Sequence, residues 1–314
     1  MTHPPVCDYE GSDYQSSFWD QGGREYEDRV EAIALKRLLS TPALAGGARE
    51  SGRLMLEVGA GAGRNTPRYV GFERIVLLDY SRTQLEQAQQ RLGKSDKYIY
   101  VAADAYRLPF VDGLFGAATM IRTLHHMADA PKALKQIRNV LAPNAIFILE
   151  FANKLNLKAM VRYWLKRQAW SPFTLEPVEF AKLNFDFHPT AITTWLNELG
   201  FRIEKTLTVS HFRIGFLKRI VPTSALVLFD SLLQWTGAFF QWTPSVFIRC
   251  RCNREGSPRT TIRIDPTSVT EFFRCPECSH APLDDKPNYL ECPNCKRKWG
   301  VQDGIYDFRM PMKS

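Results

Sequence analysis

Leu54-Met55-Leu56-Glu57-Val58-Gly59-Ala60-Gly61-Ala62-Gly63-Arg64-Asn65 decides the reading of this chain, together with Asp79 at the close of the next apolar run. A buried strand ends in a glycine turn, and an acid stands 20 positions beyond Gly59. A βαβ unit builds a nucleoside pocket in this way: glycines admit the ligand to the backbone, and the carboxylate takes ribose hydroxyls. A dinucleotide site wants its third glycine at the sixth position, whereas here the glycines fall at the first, third and fifth. A glycine string alone can be no more than a turn, so the neighbouring strand ends matter. Residues 74–79 read as a second buried strand ending in Asp79, and residues 98–105 as a third that includes Asp104. Open parallel sheets bind ligands at such carboxyl ends.

The glycine spacing and the preceding Glu57 resemble motif I of the class I S-adenosylmethionine methyltransferases. The resemblance implies that the methionine part of the cofactor lies over the turn and that the acid of the third strand reaches the adenine amino group. The implied cofactor residues are Glu57, Gly59, Ala60, Gly61 and Gly63, then Asp79 and Tyr80, Asp104 and Ala105, and Arg122 after the fourth strand. Further phrases follow: Arg107-Leu108-Pro109-Phe110-Val111-Asp112-Gly113-Leu114-Phe115, Leu124-His125-His126-Met127-Ala128-Asp129, and Ile137-Arg138-Asn139-Val140-Leu141-Ala142-Pro143. They are similar to the ubiquinone/menaquinone-biosynthesis type of methyltransferase over roughly residues 50–155, a group acting mainly on small molecules. Gly116 departs from that pattern, where Asp commonly follows Phe.

The 314 residues, 45% apolar and 24% charged, suit a globular core with a small appendage. The N-terminus lacks the basic and apolar regions of a signal peptide, so the expected location is cytoplasmic. Residues 220–248 carry one formal charge, Asp230, and read as a buried or interfacial helix. A helix is predicted over 25–39, a fourth strand over 114–121, a helix over 131–141 and a fifth strand over 145–151. A helix over 190–199 precedes a final strand pair at 201–209 and 245–252. The expected fold is α/β, a Rossmann-like doubly wound seven-stranded sheet with a small C-terminal zinc ribbon. The divisions are a methyltransferase domain over 1–252 with a substrate-side insertion at 151–188, a linker over 253–268, and a ribbon over 269–314.

Cys275-Pro276-Glu277-Cys278 and Cys292-Pro293-Asn294-Cys295, thirteen residues apart, make two knuckles that offer four thiolates to one structural ion. Zinc is favoured and iron stays open. Four cysteines without metal is the plain alternative. A unit of this size has little core of its own, so metal would supply much of its folding free energy. The continuation from Lys296 to Tyr306 resembles a zinc-ribbon family that includes the small activator subunit of eukaryotic tRNA and translation-factor methyltransferases; here it would be fused in cis. From Glu271 onward seven bases balance seven acids, which favours a scaffold over a phosphate clamp.

Methyl transfer from a sulfonium is an in-line displacement that needs an aligned acceptor and, for a hydroxyl or acidic carbon, a base. His125 and His126 follow the fourth strand and are the candidate bases, with His188 a weaker one. The plain alternative is that the two histidines start a helix and pack the loop. Tyr14, Phe18, Trp19 and Tyr26 are expected to fold over the cofactor. Lys154, Lys158, Arg162, Lys166 and Arg167, with Met160, Val161, Trp164 and Leu165 among them, suit an anionic lipid or phosphate, or a solvated face. The expected function is methyl transfer to oxygen or carbon of a small apolar or aromatic acceptor. An RNA methyltransferase is the second reading, favoured by a net charge of +8 and pI of about 9.1. Against it, Ile121-Arg122-Thr123-Leu124 lacks the Asn/Asp-Pro-Pro-aromatic motif of base-amine methylation. A non-catalytic cofactor- or partner-binding protein is the third.

Overall fold

The computed structural model describes residues 4–13, 15–39, 54–253 and 268–313. In β1 (Leu54–Val58) the period-two alternation of a strand sends Leu54, Leu56 and Val58 into one core and Met55 into another. β2 (Arg74–Asp79), β3 (Tyr98–Ala102), β4 (Phe115–Met120) and β5 (Leu141–Ala152) join it as parallel neighbours in the order β3-β2-β1-β4-β5. After a small hairpin, β6 (Val178–Ala181) and β7 (Asn184–Asp186), come β8 (Phe201–Val209) and β9 (Ser245–Cys252). β9 inserts antiparallel between β5 and β8, as the final strand pair predicts. β5 begins at Leu141, directly after a helix, rather than at residue 145; an irregular register beside Gly116 absorbs the difference.

The helices are α1 (Glu25–Leu39), α2 (Arg82–Leu92), α3 (Ala130–Val140), α4 (Leu157–Trp164), α5 (Pro189–Glu198), α6 (Gly215–Ile220) and α7 (Thr223–Leu233). Local chemistry sets their ends. α1 has Glu25, Glu27 and Asp28 in its first turn and Lys36 and Arg37 in its last, opposing the helix dipole. Ser81 caps α2 and Asp129 caps α3, each side chain accepting a backbone N–H. α1, α2 and α7 pack on one face of the sheet, and α3 and α5 on the other.

Residues 220–248 do not form one helix. Pro222 separates α6 from α7, a 3-10 turn spans Gln234–Ala238, and β9 starts at Ser245. Leu226, Val227 and Asp230 point inward, while Leu228, Phe229 and Leu232 face out. Asp230, the single charge of this stretch, accepts hydrogen bonds from the Tyr26 hydroxyl at 2.6 Å and the His211 backbone N–H at 2.7 Å. Tyr26 therefore locks α1 to α7 and does not cover the cofactor position.

The C-terminal unit extends the sheet. β10 (Asp284–Lys286), β11 (Tyr289–Glu291), β12 (Lys298–Gln302) and β13 (Ile305–Asp307) form an antiparallel meander whose last strand pairs parallel with β3, giving eleven strands in all. Phe272, Phe273, Leu290, Trp299 and Phe308 enter the same core as Leu56 and Val76. The little core expected of this unit by itself is supplemented: its apolar residues share the core of the sheet, and its last strand covers the β3 edge. Of the predicted linker, residues 254–267 lie outside the described residues.

Candidate active site

Gly59, Gly61 and Gly63 all have positive φ, at 68°, 53° and 71°. A Cβ at Gly59 would stand 2.0 Å from Thr123 Oγ1, so only glycine lets the turn pass under the end of β4. The Gly59 and Ala60 N–H groups donate to the Leu78 carbonyl, tying the turn to β2. Asp79 completes the cradle: Oδ2 accepts from Gly61 N–H at 2.8 Å and Oδ1 from Ser81 N–H at 2.9 Å. Asp104, buried just past β3, accepts from the Tyr106 N–H at 2.8 Å. Gly59, Ala60, Gly61, Asp79, Tyr80, Asp104, Ala105 and Arg122 all line one cavity at the carboxyl ends of the strands. Glu57 also lines it, but its carboxylate is occupied by the Thr66 hydroxyl at 2.6 Å and the Tyr69 hydroxyl at 3.1 Å. Burial pushes Glu57 up to about 7. Gly63 sits behind the turn, where a Cβ would meet Leu92 of α2 at 2.8 Å.

Arg122 follows β4 with φ 58°, a left-handed conformation unusual for a side-chain-bearing residue. Its N–H donates to Glu150 Oε2 at 2.9 Å, and its guanidinium pairs with Glu31 of α1. Glu31 also takes Arg64 at 2.8 Å, and Arg64 lies 3.6 Å over the Trp19 ring. Trp19 lines the first cavity and Phe18 a second one beside it, so these two expected aromatics do roof the site. Tyr14 lies outside the described residues.

The second cavity adjoins the first, and Tyr9, Arg122 and His126 line both. His126 Nδ1 lies 3.0 Å from the Leu183 carbonyl and must donate to it, which leaves Nε2 to accept from the Tyr9 hydroxyl at 3.1 Å. His125 faces the second cavity alone. Burial, reinforced by the nearby charges of His126, Arg122 and Arg213, holds it well below the ordinary imidazole value, so it is neutral at pH 7. His188 is not in this group: its Nδ1 accepts from Thr190 N–H and caps α5.

Two acids that the sequence reading missed complete the second cavity. Glu150 on β5 is buried, and its Oε1 accepts from the Ser245 hydroxyl at 2.6 Å. Asp186 on β7 is pushed up to about 6 by burial, which outweighs the opposing pull of Arg213. No spacing signal marks Asp186, because the β6–β7 hairpin brings it back to the sheet only in three dimensions. Lys154, counted among surface bases, is buried and donates to the Thr174 hydroxyl at 3.0 Å and the Glu176 carbonyl at 2.7 Å.

Cys275, Cys278, Cys292 and Cys295 converge, with all four sulfurs within 4.8 Å of one another. The two knuckles repeat one local design. Ser279 N–H donates to the Cys275 carbonyl and Lys296 N–H to the Cys292 carbonyl, and Ser279 and Lys296 both have φ 60°.

Residues 56–149 match the family described as a methyltransferase domain. An O-methyltransferase of Penicillium expansum is 28% identical over 156 residues, which is 47% of this chain and 54% of that protein. A demethylmenaquinone methyltransferase of Clavibacter sepedonicus is 29% identical over 147 residues, 46% of this chain and 60% of that protein. The chain thus spans about half to three fifths of the length of these curated relatives. A solved structure from Listeria monocytogenes, assigned as an S-adenosylmethionine-dependent methyltransferase, is 14% identical with a TM-score of 0.50, covering 73% of this chain and 99% of that one. At the level of fold, the chain is a Rossmann-like α/β protein of the class I methyltransferase type.

Proposed function

We propose that this chain is an S-adenosylmethionine-dependent methyltransferase moving a methyl group to oxygen or carbon of a small apolar or aromatic acceptor. The observation that carries the reading is a glycine-floored cavity with acids at two successive strand ends, opening past Arg122 and His126 into a second cavity that holds proton acceptors. The donor set fits the cofactor. Each Asp79 oxygen accepts one backbone hydrogen and retains a lone pair for a ribose hydroxyl. Asp104 suits the adenine amino group, and the glycine turn suits the methionine part. When bound, the cofactor supplies a methyl on a positively charged sulfur. The chain's own residues then align an acceptor in the second cavity and take its proton, with Asp186 and neutral His125 the groups in position. The relative named for demethylmenaquinone supports an aromatic acceptor.

The cysteine cluster, in this reading, holds one structural zinc ion. Bonds of about 2.3 Å in a tetrahedron separate sulfurs by about 3.8 Å. Cys275–Cys295 at 3.6 Å and Cys278–Cys292 at 3.5 Å suit that geometry. All four positions are protein thiols, so the ion serves the fold and not the reaction.

The test is transfer of a radiolabelled methyl group from S-adenosylmethionine into fractionated cell extract, beside equilibrium binding of the cofactor. Asp79→Ala should weaken cofactor binding by at least about tenfold, the loss of roughly one charge-assisted hydrogen bond. Label in the organic or small-solute fraction is the expected result. Label in RNA would replace the acceptor class, and unchanged affinity in Asp79→Ala would displace the pocket.

A further inference from the structure

The large apolar side chains left exposed among the described residues are concentrated in one stretch of the chain. Except for Val70, Met310 and Met312, all of them lie between Leu157 and Trp242. α4 shows the pattern most clearly. Leu157, Val161, Trp164 and Leu165 recur at i, i+4, i+7 and i+8, the stripe by which a helix normally meets a core. Here the stripe faces outward, with Trp164 65% exposed, and only Ala159 and Met160 are turned in. Leu228, Phe229, Leu232 and Leu233 do the same on α7, followed by Trp235 and by Phe239, which is 85% exposed.

A groove takes members of both sets. Leu157, Val161 and Leu165 line it together with Leu233, Phe240 and Trp242, and the Leu157 N–H donates to the Trp242 carbonyl at 2.8 Å. Lys158, Arg162 and Arg167 line the same groove, Lys166 is exposed beside them, and residues 157–170 contain no acid. The groove also leads inward. Asn156, Asp186, Arg213 and Pro244 are walls of both the groove and the second cavity, which in turn shares Arg122 and His126 with the first.

We propose that this face docks the protein on the surface of an anionic lipid bilayer. Bases beside exposed aromatic and aliphatic side chains complement a negatively charged headgroup layer over an apolar interior. No helix among the described residues is long and apolar enough to cross a membrane, so the contact lies in the plane of the interface. A second copy fits less well, because a two-fold contact over this groove would set the bases of α4 against their own images. One consequence rests on the methyltransferase reading: an acceptor dissolved in the bilayer would pass the groove to the second cavity without crossing water.

Flotation of the purified chain with vesicles tests the docking face. Vesicles of equal parts phosphatidylglycerol and phosphatidylcholine should be bound at least about tenfold more tightly than phosphatidylcholine alone, and added salt should weaken the binding. Arg162→Ala with Arg167→Ala should lose roughly tenfold or more of that affinity. Trp164→Ser with Phe239→Ser, at positions too exposed to support the core, should lose it as well while the melting curve stays unchanged. No binding to the anionic vesicles, or binding indifferent to both pairs, would overturn the proposal. So would a dimer in sedimentation that Trp164→Ser with Phe239→Ser converts to monomer, because the occupant would then be a second copy. No methyl donor is present in these measurements, so their failure is separate from failure of the proposed reaction.

Discussion

Asp186 and His125 face the same cavity but differ in what acid does to them. Asp186, raised to about 6 by burial, holds a proton below that value and is free to accept one above it. If Asp186 is the base, kcat/KM falls as pH drops through about 6. Asp186→Asn then removes that limb and lowers the rate by roughly 10²–10⁴-fold. An Asp186→Asn enzyme that keeps its rate, with any acid limb displaced well below the ordinary imidazole range, would move the role to His125, whose own titration lies there. The glycines and Asp79 were legible because their constraints are local: positive φ and an acid at a strand end are written within some twenty residues. Asp186, Glu150 and Tyr9 carry no such mark. Their place at the site depends on a hairpin, a central strand and an N-terminal segment meeting from distant parts of the chain.

α1 acts as an element that holds the site from behind. Its Asp28 and Glu31 reach Arg64, Arg68 and Arg122, so one helix fixes the glycine turn and the residue after β4 together. Burial alone raises the Glu31 carboxyl, but Arg122 and Arg64 outweigh it and hold the group below its ordinary value. A depressed carboxyl of this kind stabilises the fold above its ordinary pKa of 4.5, and that contribution is lost as pH falls through the depressed value. Glu31→Gln leaves two arginines short of a buried counter-charge, and a loss of about 3–5 kcal/mol in denaturant unfolding at pH 7 is expected. An unchanged midpoint would show that water or other acids compensate. The extent of α1 was readable from its periodicity, but its ion-pair partners were not, since Arg64 and Arg122 lie on loops with no helical spacing to α1. For α4 the spacing was readable and the direction was not: an amphipathic stripe does not say whether it faces a core or the outside.

Across the whole molecule, eleven of the thirteen strands among the described residues form one extended sheet, and the cysteine unit is built into it. β13 pairs with β3, Phe273 stacks on Phe110, and Arg274 and Arg309 pair with Asp112 and Glu10 across the seam. Purified protein should carry about one metal ion per chain, and elemental analysis identifies it as zinc or iron. Because the ribbon shares a core with β3, chelation should lower the melting temperature of a single cooperative transition. Two separate transitions, with the larger unmoved, would show that the ribbon melts alone. The sequence by itself determined the five successive core strands and the final strand pair, the glycine turn and the four-cysteine set, because these follow from side-chain alternation, backbone sterics and ligand spacing within short windows. Only the tertiary structure decided that the ribbon continues the sheet, that Tyr26, Lys154 and His188 are buried or capping groups, and that the apolar stripes of α4 and α7 face outward. Those outcomes depend on which distant surfaces compete to be covered, a balance that no local pattern records.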